Sequence, residues 1–556
     1  MKKIISVLLS AMMLASAAIH VNAAYVANRS ERVVTAGDTG IGTYSIWDVC
    51  ANGDYVYAVD ETNGLRVFQW DGETLKDITP ADSMYQGTVD RDRGNLLWIE
   101  GDFLYAAFAS DGGTSLASSG VRKYDISNPA APVLLRGRDW TDNTYDICAD
   151  ESLVMSAEFD RFRIYDAALA SSIQSNRTLG GRPDTVFERG TAVALVGDYA
   201  FVGYRAGSET PSIDIYGNMT KLREHVKNSE DLAAAANDVT YIGTIHDPDT
   251  KLGSENIINM TIEGNYLYVT GKNAAEIYDI SDIYDVKLVR SYSKEELPGK
   301  DAYRPGEKLK DGFVQDGVWY ISYYHGVNIY NIDDDQALTM VATLQDANKG
   351  QYGIYPDGGL VYTASRGDMI RINEICGVDI TAPANDAVVK KASVDITGTS
   401  VGADMIQLKI DGDPEISVTP DADGKWFYSA AGLANGAHTI TATAAADGEA
   451  AAETAETRTF TVDADYLVTG FEIKDDHTAA ATVSANLENV TVQLVLALYK
   501  DNQFISCQTR EEALTSDAKT ITTDAVSIPE DGETYTLKAF LWNEADMTPI
   551  VSAITK

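Results

Sequence analysis

One phrase, repeated seven times, constrains this chain more than any other feature. In its clearest copy Gly264-Asn265 leads into Tyr266-Leu267-Tyr268-Val269, and after a short gap comes Ala275-Glu276-Ile277-Tyr278-Asp279-Ile280. The first part joins a turn to aromatic and β-branched residues, the composition of a strand. The second alternates in polarity and reads as a partner strand. Further copies pair Tyr55-Val56-Tyr57 with Leu65-Arg66-Val67-Phe68, Phe103-Leu104-Tyr105 with Val121-Arg122-Lys123-Tyr124, and Leu153-Val154-Met155 with Phe162-Arg163-Ile164-Tyr165. The others pair Tyr199-Ala200-Phe201 with Ile213-Asp214-Ile215-Tyr216, Val318-Trp319-Tyr320 with Val327-Asn328-Ile329-Tyr330, and Leu360-Val361-Tyr362 with Met369-Ile370-Arg371-Ile372. The anchors Tyr57, Tyr105, Met155, Phe201, Tyr268, Tyr320 and Tyr362 are 48, 50, 46, 67, 52 and 42 residues apart. A strand-rich period of roughly 40–50 residues is that of a β-propeller, in which each repeat forms a four-stranded sheet packed between its neighbours.

The anchors then fall on the second strand of each blade. A first strand precedes each of them, for example Ile46–Ala51 and Tyr145–Ala149. A fourth strand follows in most copies, such as Val286–Val289 and Met340–Leu344, but the seventh copy has none. The segment Arg32–Thr35 is a spare strand, expected to pair with Met369–Asn373 and close the ring, which removes an exposed edge. The 67-residue spacing marks an insertion, in which Glu230–Asn237 is expected to be a short helix with Ser229 as its N-cap.

The run Tyr124-Asp125-Ile126-Ser127-Asn128-Pro129-Ala130-Ala131-Pro132-Val133 resembles the repeat of the LVIVD family of extracellular propellers, and Tyr278–Asp282 matches its first half. The resemblance spans roughly 25–375 and implies fold, not activity. After 376 the pattern changes. Regular strands at Val394–Thr397, Met405–Ile410, Ile416–Thr419, Trp426–Ser429, His438–Ala444 and Thr459–Val462 read as a sandwich, with 446–457 as a loop. Asp423-Gly424-Lys425-Trp426 and Gly436–Ile440 resemble bacterial Ig-like domains. The ending Leu537–Trp542 with Met547-Thr548-Pro549 resembles the C-terminal domain of clostridial surface proteins. The expected fold is all-β: a signal peptide at 1–23, a seven-bladed β-propeller at 24–376, and two small β-sandwich domains at 377–463 and 464–556.

Lys2 and Lys3, the apolar stretch Ile4–Ala18 and Val21-Asn22-Ala23 form a secretory signal pattern, so a secreted or cell-surface location is expected. No later apolar run is long enough to span a membrane. The net charge of −39 excludes phosphate backbones as natural partners, so no nucleic-acid binding is expected. Cys50 and Cys148 occupy the same repeat position two blades apart, too far for a disulfide, and read as small core residues. Cys376 and Cys507 fall in different modules.

No motif of a known catalytic class is present. Asp333-Asp334-Asp335 and His246-Asp247-Pro248-Asp249 carry the oxygen ligands that Ca²⁺ takes, without EF-hand spacing, so calcium is kept open and no other cofactor is expected. Asp421–Gly424 reads as a hairpin turn. Most of the 30 tyrosines sit on repeat strands and read as core, which leaves Trp47, Tyr145, Tyr324 and Tyr352 as exposed candidates for sugar stacking. The loops between second and third strands carry Arg161, Arg205, Lys272, His325 and Arg366, one cationic residue from each of five consecutive repeats. Propeller geometry gathers these loops on one face. The ligand-binding set expected is therefore Arg161, Arg205, Lys272, His325 and Arg366 with Tyr324 and Tyr352. Two functions compete. One is a monomeric, non-enzymatic binding or adhesion protein whose partner is a polysaccharide or cell-surface glycan, with a carboxylated, anionic one fitting best. The other is a polysaccharide lyase, in which a cation neutralises a uronate and His or Tyr moves the proton. The absence of catalytic motifs favours the first.

Overall fold

A computed structural model describes residues 24–34, 45–80, 96–108, 120–138, 144–365 and 369–556, apart from short loop segments within these ranges. The signal pattern lies outside the described residues. The chain divides into two compact units, residues 1–377 with 401–403, and residues 378–400 with 404–556.

In the first unit, strand follows strand in six four-stranded antiparallel sheets: sheet 1 (46–77), sheet 2 (97–138), sheet 3 (144–174), sheet 4 (190–245), sheet 5 (257–293) and sheet 6 (309–345). Sheet 7 takes three strands from the end of the repeat region, Gln351–Asp357, Leu360–Ser365 and Met369–Ala382. Its fourth place is filled by Ala24–Val34, which pairs with Met369–Ala382. The two strands expected to pair do so, and the N-terminal one is longer than Arg32–Thr35, with Thr35 itself outside the described residues. The first strands of sheets 1 to 7 lie against one another in order, and that of sheet 7 lies against that of sheet 1. The arrangement is propeller-like and all-β.

The anchors explain the packing. Tyr57, Met155, Phe201 and Tyr362 are inaccessible to solvent, and Tyr105, Tyr268 and Tyr320 nearly so. Burying each large side chain contributes about 1.5–3 kcal/mol. A buried phenol needs a partner, and for three of the anchors the next sheet supplies it. Tyr57 Oη donates to Pro129 O at 3.0 Å, Tyr105 Oη to Ala167 O at 3.0 Å, and Tyr268 Oη to Gln336 Oε1 at 2.9 Å. All three acceptors lie between the third and fourth strands of the following sheet. Cys50 and Cys148 are buried free thiols, as expected.

The insertion differs from expectation. An α-helix, α1 (Met219–Lys227), precedes a 3-10 helix at Leu232–Asp238. Asp231, not Ser229, caps the latter, its side chain accepting from Ala233 N. Ser229 instead follows α1 with φ of 59°. The four alanines mark a helical segment as expected, but it is a 3-10 helix, and the α-helix before it was not foreseen. Met219, Leu222 and Val226 give α1 an apolar face, with Met219 and Leu222 buried. Its first turn is capped from sheet 4, where Asp198 Oδ1 accepts from Thr220 N at 2.7 Å.

In the second unit, Val394–Val401 pairs with Lys425–Ala430. A second sheet runs in the order Ala387–Val389, Glu456–Val462, Gly436–Ala446, Met405–Ile410, Ile416–Val418. Glu449–Ala450 is a short strand within the segment expected to be a loop. Ile396, Ile406, Leu408, Trp426, Ile440 and Phe460 are buried, and Trp426 Nε1 donates to Thr399 O at 3.1 Å. From Tyr466 a three-stranded and a four-stranded sheet share a core that includes Val483, Leu494, Leu496 and Leu541.

Candidate functional site

The first strands carry the chemistry that sequence reasoning missed. In six sheets the pairing of the first strand with the second slips by a residue near its start: between Ile46 and Asp48, Thr144 and Asp146, Gly190 and Ala192, Ile257 and Asn259, Leu309 and Asp311, and Gln351 and Ile354. Such bulges leave backbone groups outside the ladder and re-aim side chains. The residue after the slip is a buried Asp or Asn in four sheets, Asp48, Asp146, Asn259 and Asp311. Three of these reach the first strand of the next sheet through backbone N–H groups. Asp48 Oδ2 accepts from Leu96 N at 2.7 Å and Leu97 N at 2.8 Å. Asp146 Oδ2 accepts from Val193 N at 2.8 Å, and Asp311 Oδ2 from Ile354 N at 3.1 Å. Asn259 Nδ2 donates to Asp311 Oδ1 at 3.0 Å. Burial pushes the Asp48 carboxyl up to about 8, helped by the charge of Asp311, and burial pushes Asp311 up to about 7.

The bulged residues are Trp47, Tyr145, Lys310 and Tyr352, among others. Trp47, Tyr145 and Tyr352 are 5 %, 1 % and 7 % exposed, so the expectation that they are exposed is overturned. The extra residue turns their rings into the spaces between sheets. Trp47 and Tyr352 pack with ring centroids 4.2 Å apart, and Lys310 Nζ lies 5.1 Å from the Tyr352 centroid. Tyr324 is 40 % exposed, as expected, with its ring against His325 at 4.8 Å.

The loops between second and third strands show a mixed picture. Arg161 opens the third strand of sheet 3 opposite Glu158 and is half-buried. Its carbonyl packs on the first strand of sheet 4, where a Cβ on Gly190 would come within 2.8 Å of it. Arg205 and Arg366 lie outside the described residues. His325 Nδ1 contacts Glu307 Oε1, and Lys294 Nζ donates to Glu307 O at 2.7 Å. Lys272 O accepts from Leu309 N at 3.1 Å. That one bond sets the backbone of Lys272, in the loop between the second and third strands of sheet 5, beside Leu309 at the start of the first strand of sheet 6, which Lys308 and Lys310 flank; all three lysines are half-buried. Sequence reasoning omitted Lys308 and Lys310 because they stand just before and just inside the first strand instead of following the second. The alternation Lys308-Leu309-Lys310 in an acidic chain was the available signal.

A second polar row lies on the third strands: Arg66, Arg122, Arg163, Asp214, Glu276 and Asn328, each two residues before an aromatic, and Arg371, two residues before Asn373. These are structural. Arg163 Nε bonds Glu158 Oε2 at 2.9 Å in a pair that is almost completely buried. Glu276 is inaccessible and accepts from Tyr278 Oη at 2.6 Å and Ser291 Oγ at 2.7 Å. Arg122 lies over the Phe108 ring at 4.1 Å.

Among the described residues no group of three or more His, Cys, Asp or Glu is placed to hold a metal ion. Asp333 Oδ1 accepts from Ala337 N at 2.7 Å and Asp421 Oδ1 from Lys425 N at 2.8 Å, both turn roles. His246, Asp247 and Asp334 lie outside the described residues. No helix among the described residues is long and apolar enough to cross a membrane.

Family comparisons can be set beside this geometry. The model of the LVIVD repeat matches residues 45–68 and 258–294, and that of the bacterial Ig-like domain matches 375–464. The chain carries LVIVD repeats and a bacterial Ig-like domain. The 258–294 match contains Tyr278–Asp282; the Tyr124–Val133 run lies outside both LVIVD matches. A comparison with curated protein sequences found no match. Among solved structures, the extracellular domain of a putative one-component system, BT4673 of B. thetaiotaomicron, is 12 % identical with a TM-score of 0.40. That similarity covers 78 % of this chain and 58 % of that one. The extracellular domain of the putative hybrid two-component system BT3049 of B. thetaiotaomicron is 9 % identical, with a TM-score of 0.40 over 78 % of this chain and 57 % of that one. A computationally designed protein, Ika8, is 9 % identical over 62 % of this chain and 100 % of its own, with a TM-score of 0.39.

Proposed function

We propose that this LVIVD-repeat protein is a secreted or cell-surface binding protein, and that its ligand is an anionic glycan taken up at the rim where the first strands begin. In this reading sheets 1 to 7 are the blades of one seven-bladed propeller, and residues 377–463 and 464–556 are two sandwich modules that serve as spacer or tether. The observation that carries the reading is the bond from Leu309 N to Lys272 O. It brings the backbone of Lys272 to the strand start that Lys308 and Lys310 flank, in a chain of net charge −39, where a local positive field would attract an anion against the general repulsion. Arg161, Arg205, His325 and Arg366 would extend this field around the rim, and Tyr324 supplies an exposed ring next to His325. The secretory pattern at 1–23 supports the location. The test is calorimetry of the protein with polygalacturonate and with dextran sulfate, repeated for Lys272→Ala/Lys308→Ala. Binding that weakens with added salt and in the double variant supports the reading; equal affinity for neutral dextran sinks it.

A second reading, a polysaccharide lyase, is favoured by one contact. Glu307 holds His325 at Nδ1 beside Tyr324, the arrangement of a positioned proton-transfer group. The absorbance of an unsaturated uronate product, lost in His325→Ala, would establish it.

A further inference from the structure

Trp47, Lys310 and Tyr352 meet at the starts of the first strands of sheets 1, 6 and 7. Each precedes by one residue a position buried in the ring of first strands: Asp48, Asp311 and Gly353. These three positions also meet. A Cβ on Gly353 would lie 2.3 Å from Asp48 Oδ1, so the absence of a side chain is what admits the carboxyl. On the other side Asp311 Oδ2 accepts from Ile354 N. The first strand of sheet 7 is therefore bracketed by two buried carboxyls, each the next residue after a member of the rim cluster. The donors to Asp48 are Val49 N, Leu96 N and Leu97 N, and those to Asp311 are Gly312 N, Ile354 N and Asn259 Nδ2. All are neutral.

We propose that Asp48 and Asp311 act together as a proton-sensitive element that sets how closely Trp47, Lys310 and Tyr352 assemble at the rim. With one carboxyl protonated, a single charge sits beside Gly353 and three or more N–H groups stabilise it. When the second proton leaves, two like charges flank one strand. The first strands of sheets 1 and 6 relieve this by moving apart, which draws Trp47 and Lys310 away from Tyr352. The other titratable groups nearby do not compete in this range. Cys50, in sheet 1, has its thiol pushed well up by burial and by Asp48. Tyr355, in sheet 7, is pushed up by burial and by Cys50. Lys310 in sheet 6 is directed at the Tyr352 ring, Asn259 of sheet 5 does not titrate, and sheet 2 presents Leu96 and Leu97.

The consequence for ligand binding rests on the reading of this rim as the ligand site, so the experiment separates the two. The emission of Trp47, taken as the difference between the full chain and its Trp47→Phe variant, is followed from roughly pH 6 to roughly pH 9. It should change with a midpoint between about 7 and about 8, and the change should vanish in Asp48→Asn. Asp311→Asn, equally isosteric, gives the same result if Asp48→Asn does not fold. An emission that is flat in the unmodified protein, or that titrates alike in both Asn variants, overturns the proposal. Polygalacturonate binding should weaken about fivefold across the same range and lose that dependence in Asp48→Asn. If Trp47 titrates while polygalacturonate binds at no pH, the glycan reading fails and the proton-sensitive element stands.

Discussion

Arg163→Met would test the buried polar row at its most exposed weakness. The side chains of Arg163 and Glu158 are 4 % and 1 % exposed, and Nε lies 2.9 Å from Oε2. Glu158 Oε1 also accepts from Ser156 Oγ and Tyr165 Oη, both at 3.1 Å. Burial pushes the Glu158 carboxyl above its ordinary range, and Arg163 is the first group that pulls it back. Methionine keeps the volume and removes the cation, leaving a buried carboxylate with two neutral donors. Breaking a buried pair in this way costs about 3–5 kcal/mol. The sign of the pH dependence follows. Without Arg163 the folded-state carboxyl holds its proton to still higher pH, while the unfolded one releases it near about 4.3. Stability of the variant therefore falls as pH rises through the window between those values, by at most about 1.4 kcal/mol per pH unit. Urea denaturation of the full chain at about pH 5 and about pH 8 should show the smaller deficit at the acid end. Glu158→Gln in the Arg163→Met background should recover most of the loss, because a neutral amide is cheaper to bury. A deficit below about 1 kcal/mol, or one independent of pH, would refute the claim that Arg163 compensates a buried charge.

Other consequences are simpler. Gly353→Ala sets a methyl 2.3 Å from Asp48 Oδ1 and 2.7 Å from Asp48 Cα, so backbone must move, and thermal unfolding should show a loss of about 1–3 kcal/mol. Tyr57→Phe removes the donor to Pro129 O and keeps the ring, and should cost about 1 kcal/mol in the same assay; no change would mean that the bond between sheets 1 and 2 is not formed in solution. Deleting residues 24–34 uncovers the edge of Met369–Ala382 and should produce aggregation on size-exclusion chromatography, whereas a monodisperse profile would remove the closing role assigned to that strand. Residues 378–556 contain both cores of the second unit and should unfold cooperatively when produced alone; a broad, non-cooperative transition would show dependence on the first unit.

The sequence by itself determined what local chemistry repeats. Seven anchors at a common spacing, each followed by an alternating strand, were enough for the sheets, their order and the buried state of the anchors. The spare N-terminal strand was legible because the seventh copy lacked a fourth one. The Ig-like segment was legible from its turns. The side of the strand on which a residue points was not. A bulge adds one residue and changes the parity of everything before it, which is how Trp47, Tyr145 and Tyr352 came to be buried despite standing near strand ends. Nor could spacing reveal which carboxylates face the next sheet. Asp48 and Leu96 are 48 residues apart and meet only because consecutive first strands pack side by side. Lys272 and Lys308 belong to different repeats and come together through the bond from Leu309 N to Lys272 O, a contact that exists only once sheets 5 and 6 have docked. Period and polarity are properties of the chain. Bulge register and contacts between sheets are properties of the packed ring, and the charges at the rim, like the buried carboxyls beside them, are set there.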